Sequence, residues 1–418
     1  MPTTPIAGER DLWRIWEERR LPAEIRTREG RRLRVLFPGL ANTGPGPDFM
    51  GALFALDDGE PMRGDVELHL KASSWDAHRH HQDPRYIQVR LHVVLLDDGG
   101  PARTLDDASV PVVALGPLLE APPAPDQPAT AGPCMRSDAP RPAQARVQAV
   151  VKAAGAARFA VRAARWEGEW HGRSAEDCVL RALIHTVGLG RNADACTALA
   201  DALDAATLES LLAGAREQAP RVATAILLGM AGLLEQARAD DTLRQTWALH
   251  RDYWSARPLD SRRWQRFRLR PTNLPETRLR TVAAVLAQDG LCGFLERISA
   301  LVEQPGVTVA ALLAPLLPDG ASSGRGWALE SWTNVLLPLL AGRGHAHNRA
   351  LLATRALEIY GTLPGGGENR ILERMVAIAG LPHAPRTAIE QQGLLQIWQD
   401  SCGTQACAAC PLATLAPA

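Results

Sequence analysis

Four ionisable residues occupy every second position of one short segment. Asp65, Glu67, His69 and Lys71 alternate with Val66, Leu68 and Leu70 along Gly64–Lys71. In an extended strand this spacing puts the four on one face and the aliphatic residues on the other. Carboxylates are hard oxygen ligands for Mg²⁺ or Mn²⁺, and a neighbouring His or Lys can orient water or offset charge developing on a phosphate. Asp48, beside the turn Asn42-Thr-Gly-Pro-Gly-Pro47, starts the preceding extended run. A hairpin between the two runs would bring Asp48 and Glu67 within reach of one cation. The same alternation also suits the solvated face of a half-exposed antiparallel strand. Lys71 weighs against that, being one of only two lysines in the chain, with Lys152.

Three other groupings could carry chemistry. His78-x-His80-His81-x-Asp83, with His92 downstream, offers imidazoles that suit Zn, Fe or Mn, and His78, His80 and Asp83 could also line the cleft of Glu67. Cys402-x4-Cys407-x2-Cys410-Pro411 places three soft ligands together, suited to an iron–sulfur cluster or to Zn²⁺, with Cys134 as the expected fourth. Arg251–Arg280 holds nine arginines against three acidic residues, interleaved with Trp254, Trp264 and Phe267. Arg263, Arg266, Arg268, Arg270 and Arg278 are the expected grip on a nucleic-acid backbone, with the aromatics stacking bases. Gly365-Gly-Gly-Glu368 lacks the ending of a phosphate loop and reads as a turn.

The elements that must position these groups fall into three zones. Residues 1–116 read as α/β: a helix over Glu9–Arg20, then strands at Arg32–Phe37, Phe49–Leu56, Gly64–Lys71, Val89–Leu96 and Val110–Leu115. Ser73–Tyr86 reads as a short helix capped by Ser73 or Ser74. Residues 117–142, crowded with Pro and Ala, read as a linker, and 143–418 as a helical domain ending in the cysteine group. Predicted helices include Ala143–Trp166, Ser174–Leu189, Leu279–Gln288 and Arg349–Tyr360. The fold class is α+β.

The αβββαβ order, with Pro47-Asp48 on the second strand and Glu67-x-His69 on the third, resembles the PD-(D/E)XK nuclease core. The resemblance implies Asp48 and Glu67 as metal ligands, with Glu17 or Glu18 as a further one, and DNA as substrate. His69 stands where that pattern has lysine, and Lys71 lies two residues further on. Some nucleases of that superfamily staple their fold with one distant and three C-terminal cysteines around an iron–sulfur cluster. The chain also resembles domain-of-unknown-function family 2851, through Gly46-Pro-Asp-Phe49, Gly64-Asp-Val-Glu-Leu-His69, Ser74-Trp75, Asp83, Tyr86, Leu91-His-Val-Val94, Arg270-Pro-Thr-Asn-Leu-Pro275 and the C-terminal cysteines.

Composition sets the outer limits. The 418 residues are 46% hydrophobic and carry 46 basic against 46 acidic side chains, which excludes disorder, a disulfide framework and a whole-molecule basic field. No apolar run is long enough for a membrane span and no secretory signal opens the chain, so a reducing cytoplasm is expected. The expected function is metal-dependent hydrolysis of DNA phosphodiesters. The alternative is a non-catalytic nucleic-acid-binding or assembly protein with a degenerate nuclease core.

Overall fold

Alternating apolar residues build the N-terminal sheet. In the computed structural model, helix α1 (Glu9–Glu17) precedes β1 (Ile25–Arg26), β2 (Arg32–Phe37), β3 (Leu40–Ala41), β4 (Phe49–Leu56) and β5 (Met62–Lys71). The four-residue helix α2 (Ser74–Ala77) and two 3₁₀ turns, His80–Gln82 and Pro84–Tyr86, lead into β6 (Val89–Leu96). Then come β7 (Ala102–Arg103), β8 (Ser109–Val110) and β9 (Val112–Ala114). The structure describes the chain except residues 1–7, 18–20, 22–24, 43, 58, 101, 117–142, 190–191, 267–268, 320–322, 368–369, 403–408, 414 and 416–418.

The main sheet runs β1-β2-β4-β5-β6-β9, with β3 paired to β4. Strands β2, β4 and β5 form an antiparallel meander, whereas β6 is parallel to β5 and β9 parallel to β6. A parallel neighbour needs a crossover, which residues 72–88 supply. One sheet face buries Phe49, Phe54, Val66, Leu68, Leu91 and Val93 against Leu12 and Trp16, which lie four residues apart on α1. The other face buries Val89, Val94 and Val112 against Trp75 and Tyr86 of the crossover.

Two departures from the sequence reading have local causes. Ser73–Tyr86 is not one helix. Arg79 adopts the left-handed conformation (φ 60°), and the Ser73 hydroxyl donates to Asp98 at 2.6 Å instead of capping. The expected strand Val110–Leu115 is divided at Pro111, which has no N–H to pair; its carbonyl accepts from the His92 amide at 2.9 Å. Arg32–Phe37, Phe49–Leu56 and Val89–Leu96 keep their expected bounds, β5 begins two residues early at Met62, and β4 adds a bulge. Phe49 pairs with Val66 but Ala52 with Gly64, and Gly51 takes φ 63° at the extra residue.

The chain divides into two compact units, Met1–Ala131 and Gly132–Ala418. The second is helical. Its longest elements are Gln144–Gly172 and Pro275–Glu303, the latter kinked at Gly290 (φ 66°), around a core of Leu183, Ile226, Leu286, Phe294, Trp332 and Leu340. The predicted helices lie within or beside observed ones: Gln144–Gly172, Ala175–Val187, Pro275–Glu303 and Ala350–Thr362. Among the described residues, no helix is long and apolar enough to cross a membrane.

Candidate metal centre

Parallel pairing of β5 with β6 sets Glu67 beside His92 and His69 beside Val94 on one sheet face. The crossover folds over that face and delivers His78 after α2 and His80 in the first 3₁₀ turn. Four donor atoms converge. His69 Nε2 lies 3.1 Å from His78 Nδ1, 3.4 Å from His80 Nε2 and 3.5 Å from Glu67 Oε1. His80 Nε2 lies 3.4 Å from the same Glu67 oxygen. The three histidine nitrogens all fall within 4.8 Å of one another. Donors held about 2.0–2.1 Å from one tetrahedral ion stand about 3.3 Å apart, a spacing matched by the pairs His69–His78, His69–His80, His69–Glu67 and His80–Glu67, while the group with all its donors mutually close is the three histidines.

Neutral tautomers satisfy the group as hydrogen bonds when His78 Nδ1–H donates to His69 Nε2 and His80 Nε2–H to Glu67 Oε1; what marks it is that three imidazoles and a carboxylate crowd one point. On its other side, His69 Nδ1 meets His92 Nε2 at 2.9 Å. A proton held on Nδ1 leaves the Nε2 lone pair bare and aimed at the point of convergence.

Burial keeps these imidazoles neutral, the form in which they ligate. His69, His80 and His92 are 2%, 7% and 0% exposed. Desolvation, and after it the nearby His92, His80 and His78, pushes His69 down to about 2. Desolvation followed by His78 lowers His80 to about 4, and desolvation followed by His80 lowers His92 to about 3. An aromatic wall excludes water: Tyr86 stacks on His80 with centroids 3.9 Å apart, and Trp75 packs edge-on to His80 at 5.3 Å. The Trp75 Nε1 donates to the Arg103 carbonyl at 2.8 Å. His78 is exposed and marks the open side.

The four alternating residues meet different environments, and the competing reading of one solvated strand face does not hold. Glu67 and His69 are buried because the crossover covers them, Asp65 is half-buried, and Lys71 stands exposed at the end of the strand. Asp48 and Glu67 do meet, through backbone: Glu67 Oε2 accepts from the Asp48 amide and Asp48 Oδ2 from the Leu68 amide, both at 2.9 Å. Glu67 thus turns Oε1 toward the histidines. Asp83 stays outside the group, its carboxylate accepting from Arg85 Nε at 2.9 Å. Glu17 ends α1, and Glu18 lies outside the described residues.

The basic stretch is mixed, with part of it packed into the fold and part exposed. Arg278 is 7% exposed and donates to the Val187 carbonyl at 3.0 Å and to Asn273 at 3.1 Å, so it is a core residue and not part of a backbone grip. Arg266 pairs with Glu276. Trp254 and Trp264 are buried and cannot stack on bases. Arg263 and Arg270 are exposed, and Arg268 and Phe267 lie outside the described residues.

Of the expected cysteine ligands, Cys134 and Cys407 lie outside the described residues. Among the described residues, Cys402 and Cys410 join no metal-holding group, and the histidines form the one such group.

The sequence profile of a family described as a protein of unknown function, DUF2851, matches residues 9–304. The chain belongs to the DUF2851 family. That match takes in the whole sheet, the histidine centre and the helices through Pro275–Glu303, while the C-terminal cysteines lie beyond it. No curated protein and no solved structure matches this DUF2851 chain.

Proposed function

We propose that this DUF2851 chain is a metal-dependent hydrolase of phosphodiesters, with its ion held by His69, His78, His80 and Glu67. The observation that carries the reading is the convergence of the His69, His78 and His80 nitrogens within 4.8 Å of one another, with Glu67 Oε1 3.5 Å from His69 Nε2 and 3.4 Å from His80 Nε2. Three imidazoles and one carboxylate favour Zn²⁺, Mn²⁺ or Fe²⁺ over Mg²⁺, which prefers all-oxygen shells. When bound, such an ion supplies Lewis acidity toward water or a phosphoryl oxygen. The chain's own residues orient it: His92 fixes the His69 tautomer, Asp48 and Leu68 fix Glu67, and Trp75 with Tyr86 keeps the buried side dry.

The substrate class rests on charge and element order. The Arg79 side chain, exposed between His78 and His80, has no hydrogen-bond or ion-pair partner among the described residues, so a cation stands at the open side. An anionic ester such as a DNA phosphodiester suits it. The order of helix, antiparallel meander and parallel strand supports this reading through the sequence resemblance alone.

Metal analysis of the purified chain, with hydrolysis of bis(4-nitrophenyl) phosphate and labelled DNA under Zn²⁺ or Mn²⁺, tests both halves. One equivalent of metal and hydrolysis are expected, both lost in His69→Ala and Glu67→Ala. Full metal retention in His69→Ala would overturn the centre. A loaded chain that binds DNA and cleaves neither substrate would overturn the activity.

That second outcome has an observation of its own. Four protein ligands close a tetrahedral shell, as structural sites do, and three of these four are buried. It would leave the alternative of a metal-stabilised nucleic-acid-binding or assembly protein. An iron–sulfur cluster on Cys134, Cys402, Cys407 and Cys410 rests on spacing alone, and brown colour in anaerobically purified protein is its test.

A further inference from the structure

The helical unit holds a second polar group, which the metal centre does not use. Helices Gln144–Gly172 and Ala388–Ile397 cross through glycine: a Cβ on Gly155 would lie 2.1 Å from the Ile389 carbonyl oxygen, and one on Gly393 1.9 Å from that of Val151. This close approach sets Arg158 and Arg162, one turn apart, against the amides of the second helix. Arg158 donates from Nε to Gln392 Oε1 at 2.9 Å, and from Nη1 to Gln396 Oε1 at 2.6 Å and Gln399 Oε1 at 2.7 Å. Arg162 donates from Nη1 to Asn334 Oδ1 at 2.9 Å and to Gln392 Oε1 at 3.2 Å.

Every acceptor in this group is a neutral amide. Among the described residues no carboxylate pairs with either arginine. Asp400 acts on Arg158 only through space, and its carboxylate accepts from Gln396 Nε2 at 2.7 Å. Two like charges one turn apart in a half-buried setting oppose each other. Desolvation, and after it the charge of Arg158, brings Arg162 down to about 10. Proteins rarely bury cations without a counter-charge.

The amides come from unusual backbone. Asn334 sits in the π-helical turn Trp332–Leu336 and Gln399 in the π-helical turn Trp398–Cys402. Such turns are rare and gather at functional sites. Here both point an amide at the same pair of guanidinium groups. The Nη2 of Arg158 and the Nε and Nη2 of Arg162 are left without a protein acceptor among the described residues. Both arginines are half-buried, so the pair faces solvent on one side.

We infer that Arg158 and Arg162 form a binding site for a phosphate-type oxyanion. A tetrahedral dianion has oxygens enough for both guanidinium forks at once, whereas a single carboxylate fills one. The same chemistry is offered by inorganic phosphate and by the phosphates of a nucleic-acid strand.

Titration calorimetry on the full chain separates these cases, using inorganic phosphate in one arm and a short oligothymidylate without a terminal phosphate in the other, at constant ionic strength. Each arm is run on the wild-type chain and on His69→Ala, so that phosphate drawn to the metal centre is not counted. Saturable binding is expected in both backgrounds. It weakens about tenfold or more in Arg158→Gln and Arg162→Gln, because each removes a charge-assisted contact, and Arg162→Lys recovers part of it. Binding of phosphate alone identifies a free-anion site, and binding of the oligonucleotide with the same variant dependence identifies a strand site. Absence of saturable binding of both probes to the wild-type chain overturns the inference, a result that needs no variant to fold. So does binding unchanged in Arg162→Gln.

Discussion

Glu67 and Asp48 clasp each other across β4 and β5. Glu67 Oε2 accepts from the Asp48 amide while Asp48 Oδ2 accepts from the Leu68 amide, each at 2.9 Å. The clasp leaves Glu67 Oε1 for His69 and His80. It separates the roles of two carboxylates that sequence alone pairs as ligands.

Asp48→Asn keeps an acceptor for the Leu68 amide and is expected to retain metal and activity, whereas Asp48→Ala leaves that amide unpaired and costs about 1–2 kcal/mol of stability. Denaturant unfolding and metal analysis of the two variants check this. Loss of the metal in Asp48→Asn would restore Asp48 to the ligand set.

His92 is completely buried, and its Nδ1 has no hydrogen-bond partner among the described residues. His92→Phe removes that orphaned atom and frees the His69 ring. The expected result is a metal affinity about 10–100-fold weaker with little change in folding stability, read from competition with a chelator. Unchanged affinity would show that His92 does not orient His69.

The histidines also set the pH dependence. His69, His92 and His80 sit at about 2, 3 and 4 in the folded chain, all below the ordinary imidazole value, through burial first and neighbouring imidazoles second. Below about pH 6.5 the unfolded chain takes up protons that the folded chain refuses, so stability of the metal-free protein rises with pH across this window and is lost as pH falls. Each histidine contributes up to about 1.4 kcal/mol per pH unit there. Melting temperature should therefore drop between pH 7.5 and 5, and less steeply in His80→Phe. A flat profile would contradict the buried neutral cluster.

Arg278 and the pair Arg263 and Arg270 should behave in opposite ways. Arg278→Ala removes buried bonds to Val187 and Asn273 and is expected to cost about 2–4 kcal/mol. Replacing exposed Arg263 and Arg270 by Ala should leave stability intact and, if the stretch meets DNA, reduce the salt slope of binding by about 2. A stable, folded Arg278→Ala chain would place that residue back at the surface.

Much of the N-terminal fold was legible, because period-two patterning is local. Arg32–Phe37, Phe49–Leu56 and Val89–Leu96 begin and end in the structure where apolar alternation and turn residues put them. The polar face of Gly64–Lys71 was legible as a set of residues but not as an environment. Alternation tells which side chains share a face; it does not tell whether a crossover will cover them. Three residues of the basic stretch were misleading for a related reason: Arg278, Trp254 and Trp264 look like nucleic-acid contacts in sequence, and only packing shows them to be core.

The sequence by itself determined the α+β class, the strands Arg32–Phe37, Phe49–Leu56 and Val89–Leu96, and the inventory of donors: Glu67, His69, His78, His80 and His92 are all plain in the chain. Only the tertiary structure decided which of them meet. Donors from β5 and the crossover share a point because β6 runs parallel to β5, which forces the connection back across the sheet face and lays His78 and His80 over Glu67 and His69. Strand direction and crossover path are set by long-range packing against α1 and the aromatic pair Trp75–Tyr86, and residue spacing carries no record of them.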